Sequence, residues 1–417
     1  MKILKIQGGQ KLSGTVRISG AKNSAVALIP ATLLADDKIT LCNIPNILDI
    51  DNLEKTLNYL DVKVNRASES LVIDTTTMEN KEIPEELSSK LRASYYFMSV
   101  LLAKYKYVKM HFPGGCKIGS RPIDQTLKAF RLLGATVEEK DDIYTIYASE
   151  LKGNVIPLDM PSVGATINAI LVAVLAKGTT IIKNAAREPE ITDLINMLNK
   201  MGAKISGIGT NEITIEGVEK LHGCNHDIIP DRIEAGTYTI IGALLGNYLK
   251  IDNIIPLHIK SLTDKLEEMG ANLEIHDDYL IVDSSNKLVS TSLETAVYPG
   301  FPTDLQQPFV TLLTQAKGKS TITEKIYENR FMNIPYLNKM GANIHIDNKQ
   351  ATILGPTKLK GTEVEATDLR AGASLLIAGL VANGETTIKE INHLLRGYEE
   401  IGEKLTNIGA KIEIKEI

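Results

Sequence analysis

The segment Pro113-Gly114-Gly115-Cys116-Lys117-Ile118-Gly119-Ser120-Arg121-Pro122-Ile123-Asp124 places a thiol beside two cations in a stretch containing three glycines. Lys117, Arg121 and a helix start near Pro122 all favour the thiolate, so Cys116 ionises more readily than a free cysteine and is a candidate acid, base or nucleophile. The glycines allow such a loop to move as a lid. The other two cysteines read as structural, Cys42 in the alternating strand Thr40-Leu41-Cys42-Asn43 and Cys224 in a polar stretch. An odd cysteine count with no CxxC pair and no Cys/His cluster predicts neither disulfides nor a zinc site.

Arginine placement is the second chemical signal. Of the 46 basic residues ten are arginine, and seven of those fall in two kinds of loop. Arg92, Arg232 and Arg370 stand just before apolar helices, whereas Arg121, Arg187, Arg330 and Arg396 stand just before amphipathic ones. Lys22, in Gly20-Ala21-Lys22-Asn23-Ser24, occupies the matching loop of the first repeat. Guanidinium forks suit carboxylates and phosphates, and the exposed N–H groups of helix starts favour the same anions. Any one of these arginines could instead make a surface salt bridge. Together they predict a cleft for a multiply phosphorylated substrate, lined from two lobes. Asp304 and Asp368 also precede apolar helices, where a carboxylate either caps the helix or faces a ligand.

These loops belong to a repeat. One phrase recurs as Leu60-Asp61-Val62-Lys63-Val64, Leu133-Gly134-Ala135-Thr136-Val137, Met201-Gly202-Ala203-Lys204-Ile205, Met269-Gly270-Ala271-Asn272-Leu273, Met340-Gly341-Ala342-Asn343-Ile344 and Ile408-Gly409-Ala410-Lys411-Ile412. Its intervals are 73, 68, 68, 71 and 68 residues, so six units fill the chain. Each unit starts with a helix that is apolar nearly all round, such as 165–176 or 371–382, and such a helix belongs inside. A strand follows, then an amphipathic helix in which Ile191, Leu194, Ile195, Leu198 and Met201 share one face while Asp193, Asn196, Asn199 and Lys200 look outward. That helix closes on the Gly-Ala phrase, where glycine supplies the left-handed cap, and an alternating strand pair ends the unit.

The pattern predicts an α/β protein: a two-lobed inside-out α/β barrel of six strand-helix-strand-helix-strand-strand units, three per lobe. The polar stretch Leu221 to Asp227 reads as the weak point between lobes, giving one lobe of 22–228 with the cysteine loop and a discontinuous second lobe of 1–21 and 229–417. Lys2 to Gly20 reads as a first strand with no preceding helix, able to pair within the far lobe.

Bulk properties narrow the classes. With 43% hydrophobic and 23% charged residues, the chain can bury a large core. A net charge of -5 argues against a nucleic-acid or membrane-surface partner. The apolar run Ala165 to Ala176 is too short to span a bilayer, and Met1-Lys2-Ile3-Leu4-Lys5 does not read as a secretory signal, so a cytoplasmic location is expected.

Nine segments in order resemble the UDP-N-acetylglucosamine 1-carboxyvinyltransferase family, the enolpyruvyl transferases of cell-wall synthesis, and the likeness runs through the whole chain. They are Gly20-Ala21-Lys22-Asn23, Leu91-Arg92-Ala93-Ser94, Pro113-Gly114-Gly115-Cys116, Ser120-Arg121-Pro122-Ile123-Asp124, Pro161-Ser162-Val163-Gly164-Ala165-Thr166, Gly300-Phe301-Pro302-Thr303-Asp304, Glu328-Asn329-Arg330-Phe331, Asp368-Leu369-Arg370 and Arg396-Gly397-Tyr398-Glu399. The resemblance implies that Cys116 is the lid cysteine that protonates the methylene carbon of phosphoenolpyruvate. It implies that Lys22, Arg121 and Arg396 hold that substrate's phosphate and carboxylate, and that Asp304 accepts or orients the proton of the sugar 3-hydroxyl. Arg92, the run Arg121, Pro122, Ile123, Asp124 and Gln125, the run Ser162, Val163 and Gly164, and Ile326 would line the UDP-N-acetylglucosamine site. Asn23, Arg330, Asp368 and Arg370 would complete the binding surface.

Many family members carry a lysine just ahead of the Ser-Val-Gly-Ala-Thr segment, where this chain has Met160-Pro161, which leaves the backbone N–H groups of Ser162 to Gly164 to meet the nucleotide. Addition followed by elimination needs a proton donor, a base and clamped anions, and calls for neither a metal nor a redox cofactor. Two rival readings are the sister activity on 3-phosphoshikimate, against which the Pro-Gly-Gly-Cys loop speaks, and a non-catalytic nucleotide-sugar sensor on the same scaffold.

Overall fold

A helix without a polar face has to be covered on all sides, and six such helices set the architecture. The computed structural model describes residues 2–114 and 123–416. Its described residues divide into two compact α/β units, one of 20–114 with 123–229 and the other of 2–19 with 230–416. In the first, Lys22–Ala31, Tyr96–Tyr105 and Val163–Ala173 pack inside one hydrophobic core. In the second, Arg232–Leu245, Thr303–Leu313 and Leu369–Val381 do the same, and every residue from Leu369 to Leu380 is buried. Leu376 and Ile377, fully enclosed there, each contribute about 1.5–3 kcal/mol through the area they remove from water. Several polar groups on these helices pair with one another or with the backbone: Thr311 Oγ1 lies 2.7 Å from Ser374 Oγ, and Asn168 Nδ2 donates to the Gly164 carbonyl at 2.8 Å. Among the described residues no helix is long and apolar enough to cross a membrane.

The described strands form six sheets, five of four strands and one of three. In Val155–Pro157, Thr179–Lys183, Glu212–Glu216 and Lys204–Ser206 the logic is plain. The strand before the buried helix runs parallel to the one after it, and the last two pair antiparallel. That is the right outcome for a helical crossover followed by a tight hairpin. The glycines of the recurring phrase cap the outer helices as expected, with φ between +87° and +104° at Gly134, Gly202, Gly270, Gly341 and Gly409. In the first repeat Asp61 takes the left-handed conformation instead. The second repeat is reduced: beside Tyr107–His111, Ile143–Tyr147 and Thr136–Lys140 its leading strand shrinks to one parallel bridge between Ile83 and Met110.

Three expectations need correction. The opening stretch Lys2 to Gly20 is two strands, Lys2–Gln7 and Leu12–Arg17, in different sheets, because the chain turns at Gly9 with φ +85°. The stretch Leu221 to Asp227 is not all linker: it holds the strand Asn225–Asp227, parallel to Lys38–Cys42, and the chain leaves the unit just after it, at 229/230. Asp193, expected on the outward face of Pro189–Lys200, is buried because His226 Nε2 meets its Oδ1 at 2.8 Å. The buried aspartate and histidine partner each other through one bond, and neither shows this in its own sequence neighbourhood.

Two leading strands are exchanged. Leu12–Arg17 precedes the helix Lys22–Ala31 yet pairs with Gly246–Asp252, and Asn225–Asp227 precedes Arg232–Leu245 yet pairs with Lys38–Cys42. The chain passes from one unit to the other at 19/20 and 229/230, and each time the leading strand stays in the unit being left.

Candidate active site

Most of the charged groups sit at or near helix starts, where N–H groups lack carbonyl partners. In the unit containing 230–416, Asp231 caps Arg232–Leu245 by accepting from Ile233 N at 2.8 Å and Glu234 N at 2.9 Å. Asp368 caps Leu369–Val381 in the same way, accepting from Arg370 N at 2.9 Å and Ala371 N at 3.1 Å, and takes a further bond from Gln307 Nε2 at 3.3 Å. Asp304 makes no cap. It lies in the first turn of Thr303–Leu313, and its carboxylate faces Arg330 Nη2 at one oxygen and Arg370 Nη2, 2.9 Å away, at the other.

This cluster is asymmetric in its exposure. The side chains of Arg330 and Arg370 are 3% and 5% exposed, that of Asp304 29%. Burial alone would push the Asp304 carboxyl up, but Arg370 and Arg330 in contact, with Arg232 farther off, hold it well below the usual carboxylate range. The result is a carboxylate that is ionised at neutral pH, with one side open and two forked donors behind it. Glu324, itself buried, ties the neighbouring loop to this helix start. Its Oε2 accepts from Thr303 Oγ1 at 3.0 Å, and its Oε1 accepts from Ile326 N at 2.8 Å and Tyr327 N at 3.1 Å. Ile326 is therefore fixed relative to Asp304. Arg396, half-buried, follows the short helix Asn392–Leu395 in the same unit.

In the unit containing 20–229, Lys22 opens the helix Lys22–Ala31 with half-buried Asn23 beside it, and its Nζ lies 2.8 Å from Asp49 Oδ2. Those two side chains are 12% and 0% exposed, so this is a buried ion pair. Asp49→Ala is expected to lower the unfolding free energy by about 3 kcal/mol, because it removes the carboxylate nearest a largely buried cation. Urea unfolding followed by circular dichroism checks this, and an unchanged midpoint contradicts it.

Arg92 donates from Nη1 to the Pro113 carbonyl at 3.2 Å, and its guanidinium lies 5.6 and 5.2 Å from the ring centroids of Tyr95 and Phe112. Tyr144, tilted against Phe112 at 5.9 Å, has its hydroxyl pushed up to about 12, first by burial and then by Glu139. Ser162 Oγ caps Val163–Ala173 by accepting from Ala165 N at 3.3 Å. A Cβ on Gly164 would come 1.6 Å from the Tyr95 hydroxyl, so glycine is what lets that ring close over the helix start. Gln125 Oε1 accepts from Asp159 N at 2.8 Å, which joins the start of Asp124–Leu132, with buried Ile123 and exposed Asp124, to the loop before Ser162. Met160 in that loop is 63% exposed, and Lys128 is engaged with Asp159 at 2.7 Å. Cys116, Arg121 and Pro122 lie outside the described residues.

The structure thus brings Asp304, Arg330, Arg370, Asp368 and Ile326 into one neighbourhood, and Gln125 to the loop leading into Ser162 in another. A profile of the family described as EPSP synthase (3-phosphoshikimate 1-carboxyvinyltransferase) matches residues 6–405. The chain belongs to this family. Within it, UDP-N-acetylglucosamine 1-carboxyvinyltransferase 2 of Bacillus subtilis is 51% identical over 99% of this chain and 96% of the relative. The protein of the same name from Listeria monocytogenes is 49% identical over 98% and 97%. Among solved structures, the enolpyruvyl transferase NikO from Streptomyces tendae superposes with a TM-score of 0.91 at 27% identity, covering 99% of each chain. EPSP synthase from Acinetobacter baumannii, at 18% identity and a TM-score of 0.76 over the full length of both chains, shares the fold.

Sequence reasoning missed two residues on which the candidate site leans. Asp49 falls in the first turn of Leu48–Tyr59, where an acid reads as a simple complement to the helix dipole. Glu324 follows the strand Gly318–Thr323, and nothing near it announces four accepted hydrogen bonds, from Thr295, Thr303, Ile326 and Tyr327.

Proposed function

We propose that this chain transfers the enolpyruvyl group of phosphoenolpyruvate to the 3-hydroxyl of UDP-N-acetylglucosamine and releases phosphate, the first committed step of peptidoglycan synthesis. The observation that carries the reading is that half of all residues are shared, end to end, with relatives bearing the name of that activity. The partly open carboxylate of Asp304 between two arginines supports it.

In this reading Cys116 protonates the methylene carbon of phosphoenolpyruvate, leaving its neighbour electron-poor. The sugar hydroxyl oxygen bonds there while Asp304 takes its proton. Loss of phosphate, with departure of a proton from the methyl carbon just formed, restores the double bond. Lys22, Arg121 and Arg396 hold the phosphate and carboxylate, and the fixed N–H donors and guanidiniums need no rearrangement as charge develops. Arg92, Pro122, Ile123, Asp124, Gln125, Ser162, Val163, Gly164 and Ile326 line the nucleotide-sugar site, with Asn23, Arg330, Asp368 and Arg370 completing the surface. Met160 replaces a cation ahead of Ser162, so the backbone N–H groups of 162–164 meet the diphosphate.

The finer architecture belongs to the same proposal: two lobes, 22–228 with the cysteine loop and 1–21 with 229–417, each an inside-out α/β barrel of three repeats. The enclosed helices of each unit support it. The enzyme would act in the cytoplasm on these two small molecules. A phosphate-release assay with phosphoenolpyruvate tests the activity, offering UDP-N-acetylglucosamine or 3-phosphoshikimate as acceptor. Release with the UDP-sugar alone is expected; release only with 3-phosphoshikimate, or with neither, overturns the reading.

A further inference from the structure

Tyr398 is, with Tyr238, one of the two largest fully buried side chains among the described residues, and it places a hydroxyl beside the Asp304 cluster. Its Oη receives Arg370 Nη1 at 3.3 Å, on the guanidinium whose Nη2 holds Asp304. On its other side Oη lies 2.9 Å from Thr237 Oγ1, and that oxygen lies 2.8 Å from the Ile233 carbonyl one helical turn back. The directions of these bonds are forced. Arginine only donates, so Tyr398 must accept from it and spend its own proton on Thr237, whose proton goes to the carbonyl. A chain with a single proton arrangement therefore runs from the backbone of Arg232–Leu245 to Asp304.

We infer that Tyr398 is a positioning residue: its hydroxyl fixes the Arg370 guanidinium against Asp304 and thereby sets the orientation and basicity of that carboxylate. The packing points the same way. Tyr398 N donates to the Leu394 carbonyl at 3.2 Å, and a Cβ on Gly397 would meet the Leu369 side chain at 2.7 Å, so the loop bearing Arg396 is pressed onto the start of the helix bearing Arg370. The tyrosine thus joins the loop of one anion-holding arginine to the guanidinium of another.

The titratable groups facing this chain include buried Tyr238, whose hydroxyl feels Glu234 and Tyr398. Asp304 faces Arg370, Arg330 and, farther, Arg232; Arg370 and Tyr398 also feel Asp231. Burial pushes the Tyr398 hydroxyl up, so it remains a neutral donor and acceptor at working pH. Without the hydroxyl, one buried guanidinium N–H loses its acceptor and Arg370 is free to turn. Asp304 then keeps Arg330 but loses part of the second attraction, and its proton affinity rises.

The test rests on the transferase reading above and uses the full chain. For Tyr398→Phe, kcat is expected to fall about tenfold, the scale of one hydrogen bond to a charged group. The acid limb of kcat/KM is expected to move to higher pH, while KM for UDP-N-acetylglucosamine stays within about twofold. Thr237→Val, which keeps shape and removes the acceptor of the tyrosine proton, should move both quantities in the same direction by less. A Tyr398→Phe enzyme with wild-type kcat and acid limb overturns the inference. So does one whose only change is a lower melting temperature. Wild-type enzyme that releases no phosphate refutes the transferase reading itself, whereas an active wild type with an indifferent Tyr398→Phe refutes only the role of Tyr398.

Discussion

Cys116→Ala is expected to lower turnover by about 10³-fold while leaving the affinity for UDP-N-acetylglucosamine within a few fold. The factor is that of a general acid whose proton has no equally placed substitute, and general acid-base groups contribute typically 10²–10⁴. Binding should survive because several of the nucleotide-sugar groups proposed here have anchors of their own: Arg92 the Pro113 carbonyl and two rings, Gln125 the Asp159 N–H, Ser162 its helix cap, Ile326 the Glu324 carboxylate. Phosphate release gives the first quantity and calorimetric titration with the UDP-sugar the second. Unchanged turnover refutes the proton-donor role. A parallel collapse of affinity would make the cysteine part of the binding surface instead.

Asp304→Asn is expected to cost turnover about 10²–10⁴-fold, since it removes the acceptor of the hydroxyl proton. It should also cost stability, because an amide turns an N–H toward one of two guanidiniums that are themselves donors. The pH dependence separates these effects. The arginines hold the folded carboxyl below its unfolded value, so the carboxylate contributes its full stability above about 3.9 and loses it as the pH falls through the depressed folded value. Wild type should therefore exceed the variant by more at about pH 7 than at about pH 3 in urea unfolding. A difference that does not narrow in acid contradicts the ion-pair account, whatever the kinetics show.

The repeat, the buried helices and their caps were all legible because each is written within a few residues. Small or apolar residues at every position of 371–380 but Ser374 leave that helix nowhere to go but inside, and a glycine after an amphipathic helix supplies a left-handed cap wherever the chain then leads. The exchange of leading strands was not legible. Asn225–Asp227 has the composition of a linker, and only its parallel register with Lys38–Cys42 makes it part of a sheet. Asp193 read as an outward residue by periodicity until His226, 33 positions away, drew it inside.

The candidate site divides along the same line. Residue types and local spacing marked Lys22, Arg330, Arg370 and Arg396 as anion-handling groups, whereas Asp304 and Asp368 read locally as helix caps and gained a site role only through the family resemblance. Whether an aspartate caps its helix or faces outward was decided by tertiary structure alone: Asp368 accepts the N–H groups of its own first turn, while Asp304 is claimed by Arg330 and by Arg370, 66 residues away. The sequence by itself determined the period, the class of fold and the chemical types available. The pairings Lys22 with Asp49, Asp304 with its two arginines and Tyr398 with Arg370 came only with folding, because side-chain electrostatics depends on distances in space that local spacing along the chain does not encode.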